Sequence, residues 1–187
     1  ASALLSAIVL YGFGVMQETQ NRNQKTAQIM YHAISEQQGQ ELYKQEEIAW
    51  VGEFFNAFSE QVNHSTVNFT YANADMLKSQ SMPYSGDLPA SENEIVVQDS
   101  FLDSLGYSNE LGQTIQIPFS DGTTHDFKLT GILDVKTGDI GRYTAIISKE
   151  LVRQQYGDEG MIDYYIGLKG AQNMSEEEAT NYANTLA

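Results

Sequence analysis

The chain contains no cysteine among its 187 residues. This absence excludes a disulfide framework, a catalytic thiolate and a cysteine-ligated zinc site. It does not decide the compartment, because exported and cytosolic domains can both do without cysteine. The cellular location must therefore be inferred from other features of the sequence.

Basic residues are scarce as well, with 10 Lys and Arg against 25 Asp and Glu and a formal net charge of -15 at pH 7. A surface that neutralises phosphate groups needs the opposite sign, so nucleic acid is excluded as a partner. The same charge repels the anionic headgroups of a cytoplasmic leaflet. Any contact with a membrane is therefore expected to be hydrophobic.

The sequence also lacks the common catalytic motifs, since HExxH, GxSxG, the P-loop pattern and the EF-hand spacing are all absent. The histidines, His32, His64 and His125, fall in different predicted elements rather than at the spacing of metal ligands. We therefore expect no metal and no cofactor. A surface hydrolase that uses Glu92 with Asp126 is kept as an alternative, although nothing in their spacing favours it.

One long stretch lacks charge entirely: residues 1–16, "ASALLSAIVLYGFGVM". As a helix this stretch would rise about 24 Å, at ~1.5 Å per residue, against the roughly 30 Å of a bilayer core. It is predicted to be a truncated transmembrane helix. A buried core helix and a signal peptide are the alternatives, although no basic region precedes it. Residues 17–28 are polar and contain neither Gly nor Pro, which predicts a helical stalk.

Residues 29–187 have the mixed pattern of a globular domain. Strands are predicted at 28–34, 48–58, 65–72, 94–98, 143–148 and 161–168, and a β-hairpin is predicted in which Asp121 and Gly122 form the turn between 115–119 and 127–129. Helices are predicted at 36–45, 100–105, 149–156 and from Ser175 onward. Capping boxes are predicted at Ser35 and Ser175, a left-handed cap at Gly106, and an Asp75 cap for a short turn beginning at Met76. The fold class is therefore α+β: a mixed-sheet domain with β-hairpins, short helices, an N-terminal membrane-derived stalk helix and a C-terminal helix.

The predicted loop 76–84 is unusual because it is rich in apolar side chains. Apolar side chains in a loop either tuck beneath it or meet a partner. The hypothesis of a partner contact rests on Met76, Leu77, Met82, Pro83 and Tyr84.

The middle of the chain resembles a known family. "GDLPASENEIVVQDSFLDSLG", "LGQTIQIPF", "FKLTGILDV" and "YTAIIS" are similar to the extracytoplasmic core domain of MacB-like and FtsX-like ABC transporter permeases. That family has a Gly-x-x-Pro turn before Asn-Glu-Ile-Val, a helix that ends at Leu-Gly, a Leu-Gly-x-x-Ile hairpin and a strand close to Val-x-Gly-Ile. The matching positions are Gly86, Pro89, Asn93, Glu94, Ile95, Val96, Leu105, Gly106, Leu111, Gly112, Ile115, Thr130, Gly131 and Ile132.

The resemblance implies that residues 29–187 form an extracytoplasmic MacB-like core domain at the cell membrane. It implies no enzymatic activity in this chain, because ATP hydrolysis in the family belongs to a cytoplasmic ATPase subunit. That ATPase and a second permease subunit, identical or different, are the implied partners, with a peptide, drug or lipoprotein as the exported species. The stalk would carry displacement from the membrane to the outer domain. The alternative is a membrane-anchored binding module for a peptide, glycan or lipid.

Overall fold

The structure is a computed structural model that describes residues 26–135, 141–157 and 162–186, together with the backbone of Ala7–Val9. Its strands are β1 (Ala7–Val9), β2 (Ile29–Tyr31), β3 (Ile48–Val62), β4 (Ser65–Ala72), β5 (Tyr84–Gly86), β6 (Glu94–Gln98), β7 (Thr114–Pro118), β8 (Thr124–Leu133), β9 (Arg142–Ile147) and β10 (Asp163–Leu168). Its helices are α1 (Glu36–Leu42), α2 (Ala74–Ser79), α3 (Asp99–Leu105), α4 (Lys149–Tyr156) and α5 (Glu176–Thr185), with a 3₁₀ turn at Ala171–Asn173. The α+β prediction is confirmed.

The chain divides into two compact units. Unit 1 is built from Ala1–Phe54, Asn73–Gln80 and Asp158–Ala187, and unit 2 from Phe55–Ala72 and Ser81–Gly157. The strand β3 contributes its first residues to unit 1 and its last residues to unit 2. A single continuous domain over residues 29–187 was predicted, so this division is a feature that the sequence pattern did not reveal.

Unit 1 contains an antiparallel sheet in the order β1, β2, β10, β3. Helices α1 and α5 cover it, and both begin with the predicted capping boxes, Ser35 with Gln38 and Ser175 with Glu178. Their apolar sides bury a core of Ile29, Tyr31, Ile34, Leu42, Ile48, Val51, Tyr164, Ile166, Leu168, Ala179 and Ala183. The Tyr31 hydroxyl donates to the carbonyl of Ala183 at 3.0 Å, so this buried phenol has its hydrogen bond.

Unit 2 contains a mixed sheet in the order β3, β4, β9, β6, β8, β5, with β7 paired to β8. The pairs β4/β9 and β6/β8 are parallel, whereas β6/β9, β5/β8 and β7/β8 are antiparallel. The predicted hairpin around Asp121 and Gly122 is confirmed, and Gly122 has the positive φ of 86° that such a turn requires. Helices α3 and α4 pack on a core that includes Phe69, Phe101 and Ile147.

At the few N-terminal residues that it describes, the structure differs from the predicted helix and stalk. Ala7–Val9 is a strand paired with β2 rather than part of a helix, and residues 26–28 are not helical. The Gln28 backbone amide instead donates to the carbonyl of Ile166 at 2.8 Å, so the chain is already bonded to β10 at the residue before β2. The rest of the predicted helix and stalk lies outside the described residues. Among the described residues, no helix is long and apolar enough to cross a bilayer.

Candidate functional site

Met76 and Leu77, two of the predicted contact residues, are core residues of unit 1. They are 4% and 2% exposed, so they are not available to a partner, and this part of the prediction is wrong. The reason is that α2 begins earlier than predicted, at Ala74, with Asn73 rather than Asp75 as its cap. The earlier start places both side chains on the inner side of a helix, and the sulfur of Met76 lies close to Gly52 of β3.

Met82, Pro83 and Tyr84 lie in unit 2, where they lead into the edge strand β5. Met82 and Tyr84 are half-buried, and Pro83 is exposed. Proline suits this place because it cannot donate a hydrogen bond to a sheet. Its carbonyl accepts from the Asp134 amide at 2.8 Å.

The edge of β5 is open within the part of unit 2 that the structure describes. Asp134 N donates to Pro83 O, and Asp87 N donates to Thr130 O, so the backbone groups of residues 83 and 87 point toward β8. Because bonding alternates along an antiparallel ladder, the backbone groups of Tyr84 and Gly86 point to the outer side. Donors and acceptors on an open edge are a template for a partner, although so short a strand limits the contact.

The two motif glycines of this region, Gly86 and Gly131, oppose each other across β5 and β8. A Cβ at Gly86 would lie 2.3 Å from the Thr130 carbonyl oxygen, and one at Gly131 would lie 2.6 Å from that of Ser85. Gly86 also has a φ of 81°, which L side chains rarely adopt. These glycines are therefore required by the close approach of two backbones.

The acidic stretch "SGDLPASENEIVV" is a turn that Glu94 holds together. Its carboxylate accepts from the amides of Ala90 at 2.9 Å and Ser91 at 3.2 Å, and Lys128 lies 3.5 Å away. The hydrogen bond from Ala90 is the largest cause of a pKa lowered below the usual range for Glu94. The ionised form is thus the one that fits the turn, and the side chains of Asp87 and Glu92 are exposed at its surface.

The histidines and the hypothetical hydrolase pair have separate surroundings. His32 pairs with Asp163, and His125 stacks on Phe119 with ring centroids 4.2 Å apart, while His64 forms the β3–β4 turn. Asp126 accepts from the Gln116 amide at 3.0 Å across the β7/β8 pair. Among the described residues, no group of His, Asp and Glu is arranged to hold a metal ion.

A buried carboxylate in unit 1 was not predicted. Glu53 is 4% exposed, and its Oε1 accepts from the Tyr43 hydroxyl at 2.7 Å. Burial, followed by the neighbouring Glu53 carboxylate, raises the pKa of Tyr43 well above its usual range, so the phenol stays protonated and donates. The Asn73 amide donates to Tyr43 and to the Val51 carbonyl, which links α2 to β3. The sequence did contain a signal for this burial. Glu53 follows Val51 by two residues in the apolar strand β3, and residues two apart in a strand lie on the same face.

Comparison with known proteins gives matches to solved structures alone. Neither protein-family models nor curated protein sequences give a significant match. The periplasmic region of MacB from Actinobacillus actinomycetemcomitans aligns with a TM-score of 0.55 at 14% identity, over 83% of this chain and 75% of that one. The extracellular domain of the noncanonic ABC-type transporter YknZ from Gram-positive bacteria aligns with a TM-score of 0.55 at 11% identity, over 82% of this chain and 83% of that one.

A third structure, a domain of a candidate permease protein from Porphyromonas gingivalis, aligns with a TM-score of 0.54 at 9% identity, covering 78% and 73% of the two chains. The chain has the fold of these periplasmic and extracellular domains. The resemblance inferred from the sequence motifs is thereby confirmed at the level of the fold. The motif residues have structural places in this fold: Gly86 lies in β5, Gly131 lies opposite it in β8, and Glu94 holds the turn between β5 and β6. None of the three belongs to a catalytic group among the described residues.

Proposed function

We propose that this chain is the extracytoplasmic domain of an ABC transporter permease. One observation carries the proposal: the fold aligns over about four-fifths of the chain with domains of such transporters. Independent support comes from the sequence motifs, since Gly86 and Gly131 have a steric reason to be glycine within this fold. The domain would act mechanically rather than as an enzyme, with ATP hydrolysed by a separate cytoplasmic subunit.

The finer part of the proposal concerns coupling. ATP hydrolysis would displace the membrane segments, and the chain preceding β2 would carry that displacement to the outer domain. In the structure, Gln28 bonds to both Ile166 and Leu168 of β10, at 2.8 Å in each case. A pull on residues before Gln28 would therefore be applied directly to the sheet of unit 1. A second permease subunit and a transported peptide, drug or lipoprotein complete the proposed assembly.

The location can be tested by labelling, because the chain has no cysteine of its own. Asn109→Cys introduces a thiol at an exposed position of unit 2, and Val97→Cys introduces one at a fully buried position. Relative to the unsubstituted transporter in whole cells, we expect a membrane-impermeant maleimide to give added labelling with Asn109→Cys, and with Val97→Cys only after the protein is denatured. An affinity tag on the same transporter should recover an ABC ATPase in stoichiometric amount.

Two outcomes would contradict the proposal. Labelling of Asn109→Cys only after cells are opened would place the domain in the cytoplasm. Labelling in whole cells without any recovered ATPase would favour the membrane-anchored binding module instead. Similar recovery of the ATPase with the Asn109→Cys and Val97→Cys variants controls for the effect of the substitutions on assembly.

We further propose that Met82, Pro83 and Tyr84 form a contact with a neighbouring subunit of the assembly. Met82→Ser and Tyr84→Ser are expected to reduce co-purification of the second permease subunit several-fold, because each removes most of the apolar surface of a contact side chain. Ser85→Ala is the matched control on the same strand, where the side chain is exposed and polar, and it should leave assembly unchanged. Unchanged assembly in both serine variants, with normal thermal unfolding, would refute the contact.

A further inference from the structure

Unit 1 carries an open groove of about 480 Å³ between the loop that precedes β3, the end of β10 and the helix α5. Its apolar surface comes from Leu168, Met174 and the ring of Tyr182. Leu168 belongs to the core of the unit, and Met174 and Tyr182 pack against that core while remaining partly exposed. The floor of the groove is therefore continuous with the core of unit 1.

Carboxylates dominate the rim of this groove, where Glu46, Glu47 and Glu178 face the single ammonium of Lys169. The ammonium donates to the backbone carbonyl of Glu46, and the Lys169 backbone amide donates to the Glu47 carbonyl at 2.9 Å. Lys169 is thus attached to the backbone of the loop. The rim has an excess of two negative charges, three carboxylates against one ammonium.

Two of these carboxylates are fixed in position by hydrogen bonds. Glu178 accepts from the Ser175 amide at 2.7 Å, and that bond lowers the pKa of Glu178, which keeps it ionised at neutral pH. Glu47 accepts from the Tyr182 hydroxyl at 3.1 Å. Burial and the Glu47 carboxylate raise the pKa of Tyr182 to about 12, so the phenol remains a donor. The negative charge at the groove is therefore held in place.

We propose that this groove is a docking site for a polypeptide segment of a partner protein that carries Lys or Arg next to apolar side chains. The apolar floor would take the apolar side chains, and the fixed carboxylates would pair with the cations. Complementary charge of this kind selects the partner and speeds encounter more than it adds affinity. The groove and its charges stand independently of the proposed transporter function, so either proposal can fail alone.

The test uses a fluorescein-labelled synthetic peptide of repeated Lys-Leu-Ala units and its counterpart with Gln in place of Lys. Each is titrated by fluorescence anisotropy against the purified full-length protein at physiological salt. The variant Glu46→Gln with Glu47→Gln removes two exposed carboxylates of the rim. The variant Asp103→Asn with Glu110→Gln removes two exposed carboxylates from unit 2 and so matches the change in net charge.

We expect the rim variant to weaken binding of the Lys peptide about tenfold, and the matched control less than about twofold. Met174→Ser should weaken it as well, because the floor loses an apolar contact. Equal losses in the two charge variants would show that binding depends only on the net charge of the protein. Equal affinity for the Lys and Gln peptides would show that the cations are not recognised. Either result would overturn the proposal. A self-association of the protein that disappears in the rim variant would assign the groove to a second copy of the chain and would also overturn it.

Discussion

Gly86→Ala is expected to lower the free energy of unfolding of unit 2 by about 3 kcal/mol. Two costs add at this position. The backbone has a φ of 81°, where an L side chain costs roughly 1–2 kcal/mol. The new Cβ would also lie 2.3 Å from the Thr130 carbonyl oxygen and 2.9 Å from the Gly131 Cα, which are backbone atoms that a rotamer change cannot move aside.

Gly106→Ala provides the matched control for this prediction. Gly106 ends α3 with a φ of 79°, close to that of Gly86, yet a Cβ there would meet no atom within 4 Å. We therefore expect Gly106→Ala to lower the free energy of unfolding by about 1 kcal/mol, which is the cost of an L side chain at a positive φ without any steric clash. Urea denaturation followed by circular dichroism should separate the two variants by about 2 kcal/mol. Equal losses would mean that β5 can move away from β8 without cost.

The steric conflict at Gly86 also predicts where the structure would yield. Relief of the clash requires β5 to separate from β8, which would break the bonds from Asp134 to Pro83 and from Asp87 to Thr130. Amide hydrogen exchange at Asp134 and Asp87 should therefore accelerate in Gly86→Ala and remain unchanged in Gly106→Ala. The contact surface proposed at Met82 to Tyr84 would be disturbed by the same movement.

Local signals in the sequence predicted local structure well. The capping boxes at Ser35 and Ser175, the Gly106 cap and the Asp121-Gly122 hairpin each involve side chains and backbone groups only a few residues apart, and all are confirmed. Because each feature depends only on neighbouring residues, it can be predicted without knowledge of the remaining chain.

Pairings between distant segments were beyond the sequence pattern. The parallel pairs β4/β9 and β6/β8 join strands separated by many residues, and strand periodicity says which face is buried but not which strand is the neighbour. The division into two units arises in the same way, because β3 runs through both. The apolar stretch that contains Ala7–Val9 was equally ambiguous, since apolarity alone does not distinguish a helix from a buried strand.

The candidate contact surface shows the same limit at the scale of single residues. Met76 and Leu77 were grouped with Met82 and Tyr84 because all four are apolar and close in sequence. The position of one cap, Asn73, places the first pair inside unit 1. Both Asn and Asp are favourable caps, so composition alone could not choose between Asn73 and Asp75.

The second large effect is expected at this cap, where Asn73→Ala should destabilise unit 1 by about 3 kcal/mol. The side-chain Oδ1 of Asn73 accepts from the backbone amides of Met76 at 2.9 Å and Glu53 at 3.0 Å, and its Nδ2 donates to the Val51 carbonyl at 2.9 Å. Loss of the cap costs about 1 kcal/mol, and each buried backbone group left without a partner costs about 1 kcal/mol or more. Asp75→Ala, at the position predicted from the sequence, should change stability by less than about 0.5 kcal/mol.

Asn73→Ser separates the two roles of this side chain. Serine can cap α2 through its hydroxyl, but its short side chain cannot also reach the Val51 carbonyl, so we expect a loss of about 2 kcal/mol. Trp50 is the single tryptophan and lies in unit 1, so its fluorescence during urea denaturation reports on this unit. Indistinguishable stabilities for Asn73→Ala and Asp75→Ala would contradict the network. A graded series, with Ala below Ser and Ser below the natural Asn, would show that the cap and the bridge to β3 both contribute. A larger step from Asn to Ser than from Ser to Ala would show that the bridge contributes more.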